Sequence, residues 1–179
     1  MQVISGIIKG LKLEPDKNPD LRPTKDRIKK SLFDVLRFEI KGKTFLDLFG
    51  GTGQIGIEAF SQGAKEVTIV ESEKKNASLI KKNVGKIKIP HNIKIYNKDA
   101  LNFLENKNLK FDIIFLDPPY QNLELLEKCI EKISELENIP EIIAIESLSS
   151  IKININDKKF YLRKKYYYGK ISLNLYERI

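Results

Sequence analysis

From residue 44 onward, short apolar runs alternate with stretches in which apolar side chains recur at spacings of three and four residues. The runs predict buried strands, and the periodic stretches predict amphipathic helices. Strands are predicted at 44–49, 66–71, 93–97, 111–117 and 141–146, with helices between them at 54–62, 73–87, 99–105 and 122–137. This alternation is typical of βαβ units, so we predict a doubly wound α/β fold around a mostly parallel sheet.

The beginning of the chain follows a different pattern. Residues 3–13 carry β-branched side chains broken by two glycines, which predicts a short hairpin. An apolar series that begins at Ile28 then predicts a helix with Thr24 as its N-cap. The exposed face of this helix should carry the basic residues Arg27, Lys29 and Lys30. We therefore separate a basic N-terminal extension, 1–43, from a domain that spans 44–179.

The end of the chain predicts two further strands, within 160–175, around a turn at Gly169. They should add an antiparallel pair and bring the sheet to seven strands. Half of the side chains in the Tyr166-Tyr167-Tyr168 run should then face the core, whereas the others could stack on nucleic-acid bases. The sequence alone leaves that role open.

The chain has 179 residues, of which 41% are hydrophobic, and this suits one well-buried domain with a small appendage. It has no apolar run long enough to span a bilayer and begins without a signal-peptide pattern, so we expect a cytoplasmic protein with no membrane partner. Its small size favours a monomer. Cys129, the only cysteine, lies in a helical pattern and is interpreted as a small buried hydrophobe, and with His91 as the only histidine no metal site is expected.

The net charge is +8, and the basic residues are concentrated at the two ends of the chain. Residues 1–45 hold 11 basic and 6 acidic side chains, residues 46–151 hold 13 and 16, and residues 152–179 hold 8 and 2. If the two ends pack on one side of the domain, they would form an electrostatic surface for a polyanion such as a nucleic acid. The alternative is a lysine-rich surface that is only solvated.

A glycine-rich turn, from Gly51 through Gly53 to Gly56, joins the first predicted strand of the domain to its first helix. Such a turn lets the backbone approach a ligand and presents the free N–H groups of a helix N-terminus. The spacing also fits a dinucleotide fingerprint, with Glu71, 20 residues after Gly51, as a ribose-binding acid. Asp47 favours another cofactor, because an acid at this strand end would repel a pyrophosphate but could hold the ammonium of a methionine moiety. A tight turn without a ligand is the structural alternative.

A second motif, Asp117-Pro118-Pro119-Tyr120, follows a very apolar run. The two prolines restrict the backbone, so the Asp117 side chain and the Pro118 carbonyl should project rigidly from the carboxyl end of a strand. These acceptors could take the N–H protons of an exocyclic amine on a base and free its lone pair. Tyr120 could stack on that base and align the nitrogen for attack on a sulfonium methyl group. The alternative is a proline-rich turn with an incidental aspartate.

Together these motifs resemble the amino methyltransferases of the Rossmann-like class I fold, which combine a glycine loop with a later Asp-Pro-Pro-Tyr type of motif. More closely, the chain resembles the RsmD family, bacterial enzymes that methylate N2 of a guanine in small-subunit (16S) ribosomal RNA. The resemblance rests on Ile4-Ser5-Gly6 with Lys9-Gly10, Leu21-Arg22-Pro23-Thr24-Lys25-Asp26-Arg27, Leu32-Phe33-Asp34, Asp47-Leu48-Phe49, Gly51-Thr52-Gly53 and Asp117-Pro118-Pro119-Tyr120. It implies an enzyme that uses S-adenosylmethionine, leaves S-adenosylhomocysteine and needs no metal.

The resemblance also implies a set of cofactor-binding residues. Those expected around the methionine part are Asp47, Phe49, Gly51, Thr52, Gly53 and Gly56. Glu71 would bind the ribose hydroxyls, and Asp99, followed by Ala100, would accept from the adenine amino group. Asp99 has an alternative role as the N-cap of the following helix, and the two roles are compatible.

RNA contacts are implied by the same resemblance. The residues expected to help hold RNA beside the active site are Arg22, Thr24 and Arg27, with a helix cap and solvated charges as the alternative. Family members usually have an arginine where this chain has Leu11, but Lys9 and Lys12 flank that position and are expected to contact RNA.

The function that we expect is therefore methylation of ribosomal RNA, within a partly or fully assembled small subunit because the chain has no separate RNA-binding domain. Three alternatives stay open at this point. A DNA N6-adenine or N4-cytosine methyltransferase would use the same chemistry, and protein glutamine methyltransferases resemble this group but carry asparagine in place of Asp117. A non-catalytic RNA-binding assembly module is the third. Glu146, at the end of the fifth predicted strand, could belong to the site or be solvated.

Overall fold

A computed structural model of the chain describes residues 1–15, 26–89 and 91–179. The strands are β1 (Thr44–Asp47), β2 (Glu66–Glu71), β3 (Ile93–Asn97), β4 (Ile113–Leu116), β5 (Ile142–Leu148), β6 (Phe160–Tyr168) and β7 (Ile171–Arg178). They form one seven-stranded sheet in the order β3-β2-β1-β4-β5-β7-β6. The first five strands are parallel, and β7 is antiparallel to both β5 and β6. The predicted parallel sheet with an antiparallel C-terminal pair is therefore confirmed.

Helices cover both faces of this sheet. They are α1 (Asp26–Leu36), α2 (Gln54–Ser61), α3 (Lys74–Val84), α4 (Ala100–Leu104) and α5 (Leu123–Ser134). One core cluster joins the sheet to α1, α2 and α3, and a second joins its other face to α4 and α5. Phe45 and Leu46, adjacent on β1, lie in different clusters because successive strand side chains point to opposite faces. Burial on both faces explains why the central strands are continuous apolar runs.

The N-terminal segment forms the predicted hairpin and packs on the domain. Gln2 and Lys12 pair in antiparallel fashion, and the Val3 amide donates to the Leu11 carbonyl at 3.0 Å. Val3 and Leu13 are buried in the same cluster as the apolar face of α1. The expected N-cap of α1, Thr24, lies outside the described residues.

The prediction that Lys29 is exposed was wrong. Its side chain is completely buried, and its ammonium donates to the Gln2 carbonyl at 2.9 Å and lies 3.6 Å from the carboxylate of Glu58, which is also buried. That carboxylate accepts from the amides of Ile4 and Ser5, at 2.9 Å each. The hairpin folds over this side of α1, so the lysine joins the hairpin, α1 and α2 instead of facing solvent.

Cys129 is buried on α5, and burial raises the pKa of its thiol to about 12. This confirms its interpretation as a small core residue. Across the described ranges, no helix combines the length and the apolar character needed to cross a lipid bilayer.

Candidate active site

A cleft of about 800 Å³ opens at the carboxyl ends of the parallel strands, where ligands bind in open α/β sheets. Its volume suits a cofactor-sized ligand. Most of the residues predicted to bind the cofactor or the target base line this cleft. They are Asp47, Phe49, Gly51, Thr52, Glu71, Asp99, Ala100, Asp117, Pro118, Pro119 and Tyr120. The fold thus gathers into one cleft two motifs that lie 70 residues apart in the sequence, measured from Asp47 to Asp117.

The remaining two glycines of the loop shape the turn instead of lining the cleft. Gly53 caps the start of α2 with φ of 78°, in the left-handed region that favours glycine. Gly56 lies in the first turn of α2, and a Cβ there would stand 2.6 Å from the side chain of Ile69 on β2. The absence of a side chain lets α2 pack close to the sheet and aim its N-terminus at the cleft.

Asp47 ends β1 as a buried acid at the floor of the cleft, with only 1% of its surface exposed. Its Oδ2 accepts from the Gly56 amide at 3.1 Å, whereas Oδ1 has no hydrogen bond of normal geometry among the described residues. Burial raises the pKa of this carboxyl to about 7, with the Gly56 amide acting against the shift. A buried acid with an unused oxygen that faces a cleft fits a cationic ligand group.

Glu71, at the end of β2, accepts from the Gly51 amide at 2.7 Å and from the Glu73 amide at 2.8 Å. Burial raises its pKa, and these backbone hydrogen bonds lower it. The carboxylate therefore links the glycine loop to the start of α3 and is held at the edge of the cleft, where ribose hydroxyls could donate to it.

Asp99 is the N-cap of α4, because one of its carboxylate oxygens accepts from the Leu101 amide at 2.9 Å and from the Asn102 amide at 3.1 Å. The capping role suggested from the sequence is confirmed. The same side chain lines the cleft beside Ala100, and its role toward adenine stays a prediction.

The Asp117-Pro118-Pro119-Tyr120 motif follows β4 directly and forms a wall of the cleft. In the sheet register, Asp47 pairs with Phe115, two residues before Asp117. The turn after the motif is braced, because the Asn122 amide donates to the Pro119 carbonyl at 2.8 Å and the Asn122 side chain caps α5. The two acidic groups thus belong to neighbouring strands of a rigid sheet.

Glu146 lies beside this motif and is buried, not solvated. It lies on β5 with 2% of its surface exposed, and its carboxylate accepts a hydrogen bond from the Tyr120 hydroxyl. An acid directly after the apolar run 142–145 was the only signal of this in the sequence, which does not reveal the partner. The bond fixes the direction of the Tyr120 side chain.

The expected RNA-binding residues are dispersed. Arg27 is exposed in the first turn of α1, and the preceding Asp26 accepts from Gln54 of the cleft wall at 3.1 Å, so this end of α1 lies beside the cleft. Lys12 is exposed on the hairpin. Lys9 follows a turn whose amides bond to Ser61, at the end of α2 farther from the cleft. Arg22 and Thr24 lie outside the described residues.

The sheet order, in which β7 lies between β5 and β6, and the cleft at the carboxyl ends of the parallel strands define a Rossmann-like class I methyltransferase fold. The structure of yhhF from Escherichia coli shares it with a TM-score of 0.88 at 30% identity, covering 99% of this chain and 97% of that one. A more distant structure, of a protein complexed with SAH, gives a TM-score of 0.70 at 17% identity, over 88% of this chain and 50% of that one.

Within that class, the chain belongs to the family described as conserved hypothetical protein 95, whose model matches residues 1–177, and the resemblance to the RsmD family is confirmed. A ribosomal RNA small subunit methyltransferase D from Haemophilus influenzae is 33% identical over 181 residues, which are 99% of this chain and 93% of that protein. A protein of the same name from Buchnera aphidicola is 42% identical over 119 residues, which are 66% of this chain and 62% of that protein.

Proposed function

We propose that the protein transfers a methyl group from S-adenosylmethionine to N2 of a guanine in small-subunit ribosomal RNA. The observation that carries the proposal is the single cleft in which a buried acid after β1 and the Asp117-Pro118-Pro119-Tyr120 wall after β4 face the same space. One side fits a cationic cofactor and the other fits a planar base with an amino group. Family membership and the names of the relatives support the same activity.

The acids of the cleft are the groups that would hold the cofactor. The unused oxygen of Asp47 would accept from the methionine ammonium, beside the backbone of Phe49, Gly51 and Thr52. Glu71 would accept from the ribose hydroxyls, and Asp99 would accept from the adenine amino group. When bound, the cofactor would supply an electrophilic methyl group on its sulfonium, and the motif after β4 would hold the amine that accepts this group.

The chain itself contributes mainly positioning and electrostatics to the reaction. The Asp117 carboxylate and the Pro118 carbonyl would accept the two N–H groups of N2, which favours a pyramidal nitrogen whose lone pair points away from the ring. Tyr120 would stack on the guanine while Glu146 holds its hydroxyl. A nitrogen–carbon bond forms as the carbon–sulfur bond breaks, and the nitrogen then loses one proton, for which Asp117 is the adjacent base.

Ribosomal RNA is supported as the substrate by the charge at the two ends of the chain and by the relatives named for the small ribosomal subunit. We propose residues 1–43 as the extension that contacts RNA, because Lys12 and Arg27 are exposed on it and the start of α1 lies beside the cleft. Since so small an extension offers few contacts, an assembled subunit would supply part of the specificity.

The test is a transfer assay with methyl-labelled S-adenosylmethionine and four substrates: unmodified small subunits, naked ribosomal RNA, DNA and protein. We expect label in RNA, with faster turnover on subunits than on naked RNA. Asp117→Asn should lower transfer about 100-fold or more while it retains cofactor binding, since it removes a charged acceptor from the reacting nitrogen. The control is Asp157→Asn, at an exposed acid outside the cleft.

Three outcomes would count against this account. Undiminished transfer by Asp117→Asn would refute the role of the motif. Label in DNA but not in RNA would overturn the substrate and spare the amino-methyl chemistry. Equal turnover on free RNA and on subunits would contradict the contribution of the assembled particle.

A further inference from the structure

The end of the β6–β7 hairpin lies at the same edge of the sheet as the cleft. Leu148, which lines the cleft, pairs with Ile171, the first residue after the turn at Gly169. The Ser149 amide also donates to the Lys170 carbonyl at 2.8 Å. A nucleic-acid strand that extends from the cleft past Leu148 would therefore contact this end of the hairpin.

Aromatic and basic side chains are paired at this hairpin end. The guanidinium of Arg27 lies 5.3 Å from the ring centre of Tyr168, and the ammonium of Lys165 lies 5.2 Å from the ring centre of Tyr167. We call these four residues together with Lys170 the hairpin patch. Because β6 is the edge strand of the sheet, the patch wraps around that edge, with Tyr168 toward α1 and Tyr167 toward the other face.

The ring of Tyr167 belongs to neither of the two core clusters that the described residues form. The neighbouring Tyr166 and Tyr168 pack against the core, whereas 66% of Tyr167 is exposed to solvent. This outcome confirms the expectation that half of the tyrosine run faces inward. An exposed ring with a cation over one face is the arrangement with which proteins stack unpaired bases and hold their phosphates.

The lysines of the hairpin patch differ in their partners from the basic residue at the far end of β6, and the Lys165 ammonium donates to the Ser149 carbonyl at 3.2 Å. At the far end of β6, Arg163 pairs with Glu39 at 2.9 Å and lies 3.8 Å from Glu177. Among the described residues, neither Lys165 nor Lys170 forms an ion pair. The positive charge of Arg163, far from the cleft, is therefore balanced by acids, whereas Lys165 and Lys170, near the cleft, can interact with a polyanion.

We propose that the hairpin patch binds the single-stranded RNA that flanks the target base, with Tyr167 as a stacking platform and the cations of Arg27, Lys165 and Lys170 as phosphate ligands. The proposal rests on the proposed function. We assign single-stranded RNA to the patch because the bases of loops, bulges and ends are unstacked and present free π faces to an aromatic side chain.

The experiment compares Tyr167→Ala with Tyr161→Ala, a matched control at the other end of β6. Tyr161 is also exposed on this strand, at 47%, and stands about 20 Å from Tyr167 at the usual strand rise. The dissociation constant of a labelled single-stranded RNA is measured by fluorescence anisotropy with the full chain, and methyl transfer is measured alongside. Tyr167→Phe keeps the ring and serves as the conservative variant.

We expect Tyr167→Ala to weaken RNA binding about fivefold to hundredfold, the range that loss of one stacked base produces. Tyr161→Ala and Tyr167→Phe should bind like the wild type. Lys170→Ala should reduce the dependence of binding on salt by about one phosphate contact. Unlabelled duplex RNA should compete poorly for the site.

Binding by Tyr167→Ala that equals that of Tyr161→Ala would overturn the proposal, and so would equal competition by duplex RNA. If the wild-type protein still methylates RNA in either case, the proposed function stands and only the hairpin patch fails. If the wild-type protein neither binds nor methylates RNA, both proposals fail.

Discussion

Asp47→Asn should weaken cofactor binding at every pH and remove a pH-dependent loss of stability that the wild type shows. The pKa of this carboxyl is raised by burial from 3.8 to about 7, so between these pH values the native state binds a proton that the unfolded state has lost. The free energy of unfolding of the wild type therefore falls as pH rises through this window. At about 1.4 kcal/mol per pH unit, the loss reaches about 4 kcal/mol by pH 8.

Asparagine carries no charge, so the variant escapes this loss. It keeps an acceptor for the Gly56 amide but buries an amide N–H₂ where the unused oxygen was, which lowers its stability by about 1–3 kcal/mol at every pH. The variant should thus be the less stable protein at pH 4. The difference in unfolding free energy should then shift in its favour by about 4 kcal/mol between pH 4 and pH 8.

Urea unfolding at a series of pH values measures this shift, with Asp157→Asn as the control that should show none. A difference between Asp47→Asn and wild type that does not change with pH would refute the reasoning. Calorimetric titration with S-adenosylmethionine provides the functional half. Wild-type affinity should rise with pH up to about 7, since only the ionised acid attracts the ammonium, and the variant should bind weakly at every pH.

Three further predictions concern the frame around the cleft. Glu146→Leu should lower kcat for RNA more than it changes KM. Because the acid acts through the Tyr120 hydroxyl, the same substitution should have no further effect in a Tyr120→Phe variant. A full loss of kcat in that variant would contradict this role of Glu146. Lys29→Ala should lower the free energy of unfolding by about 3–5 kcal/mol, because it leaves the buried Glu58 carboxylate without its cation. Chemical denaturation of the double variant Lys29→Ala/Glu58→Gln should show that part of this stability is recovered. Gly56→Ala should weaken cofactor binding in calorimetry, because the added Cβ pushes α2 away from the sheet; unchanged affinity would contradict this.

Much of the fold could be predicted because apolar runs, glycines and prolines mark where its strands lie and end. The apolar runs of the central strands are buried on both faces, and Gly51, Gly53 and Asp117 mark the ends of two strands, β1 and β4. Because β1 and β4 are neighbours in the sheet, these two strand ends line one cleft. The capping role of Asp99 could likewise be predicted, since it depends only on residues that follow it directly.

The sequence could not predict contacts between side chains that are far apart along the chain. Lys29 looked solvated because its partners, Gln2 and Glu58, are 27 and 29 residues away. Glu146 could not be assigned without knowing that β5 lies next to β4, which brings it to the hydroxyl of Tyr120. In both cases a charged side chain is stabilised by a contact that exists only after the sheet has assembled.

The most direct test of the central claim is nucleoside analysis after methylation. Unmodified small ribosomal subunits are incubated with the protein and methyl-labelled S-adenosylmethionine, and the RNA is digested and separated. We predict that the label elutes as N2-methylguanosine and that Asp117→Asn forms about 100-fold less of it or lower still. Label in another nucleoside, or N2-methylguanosine formed equally by that variant, would contradict the account of the site.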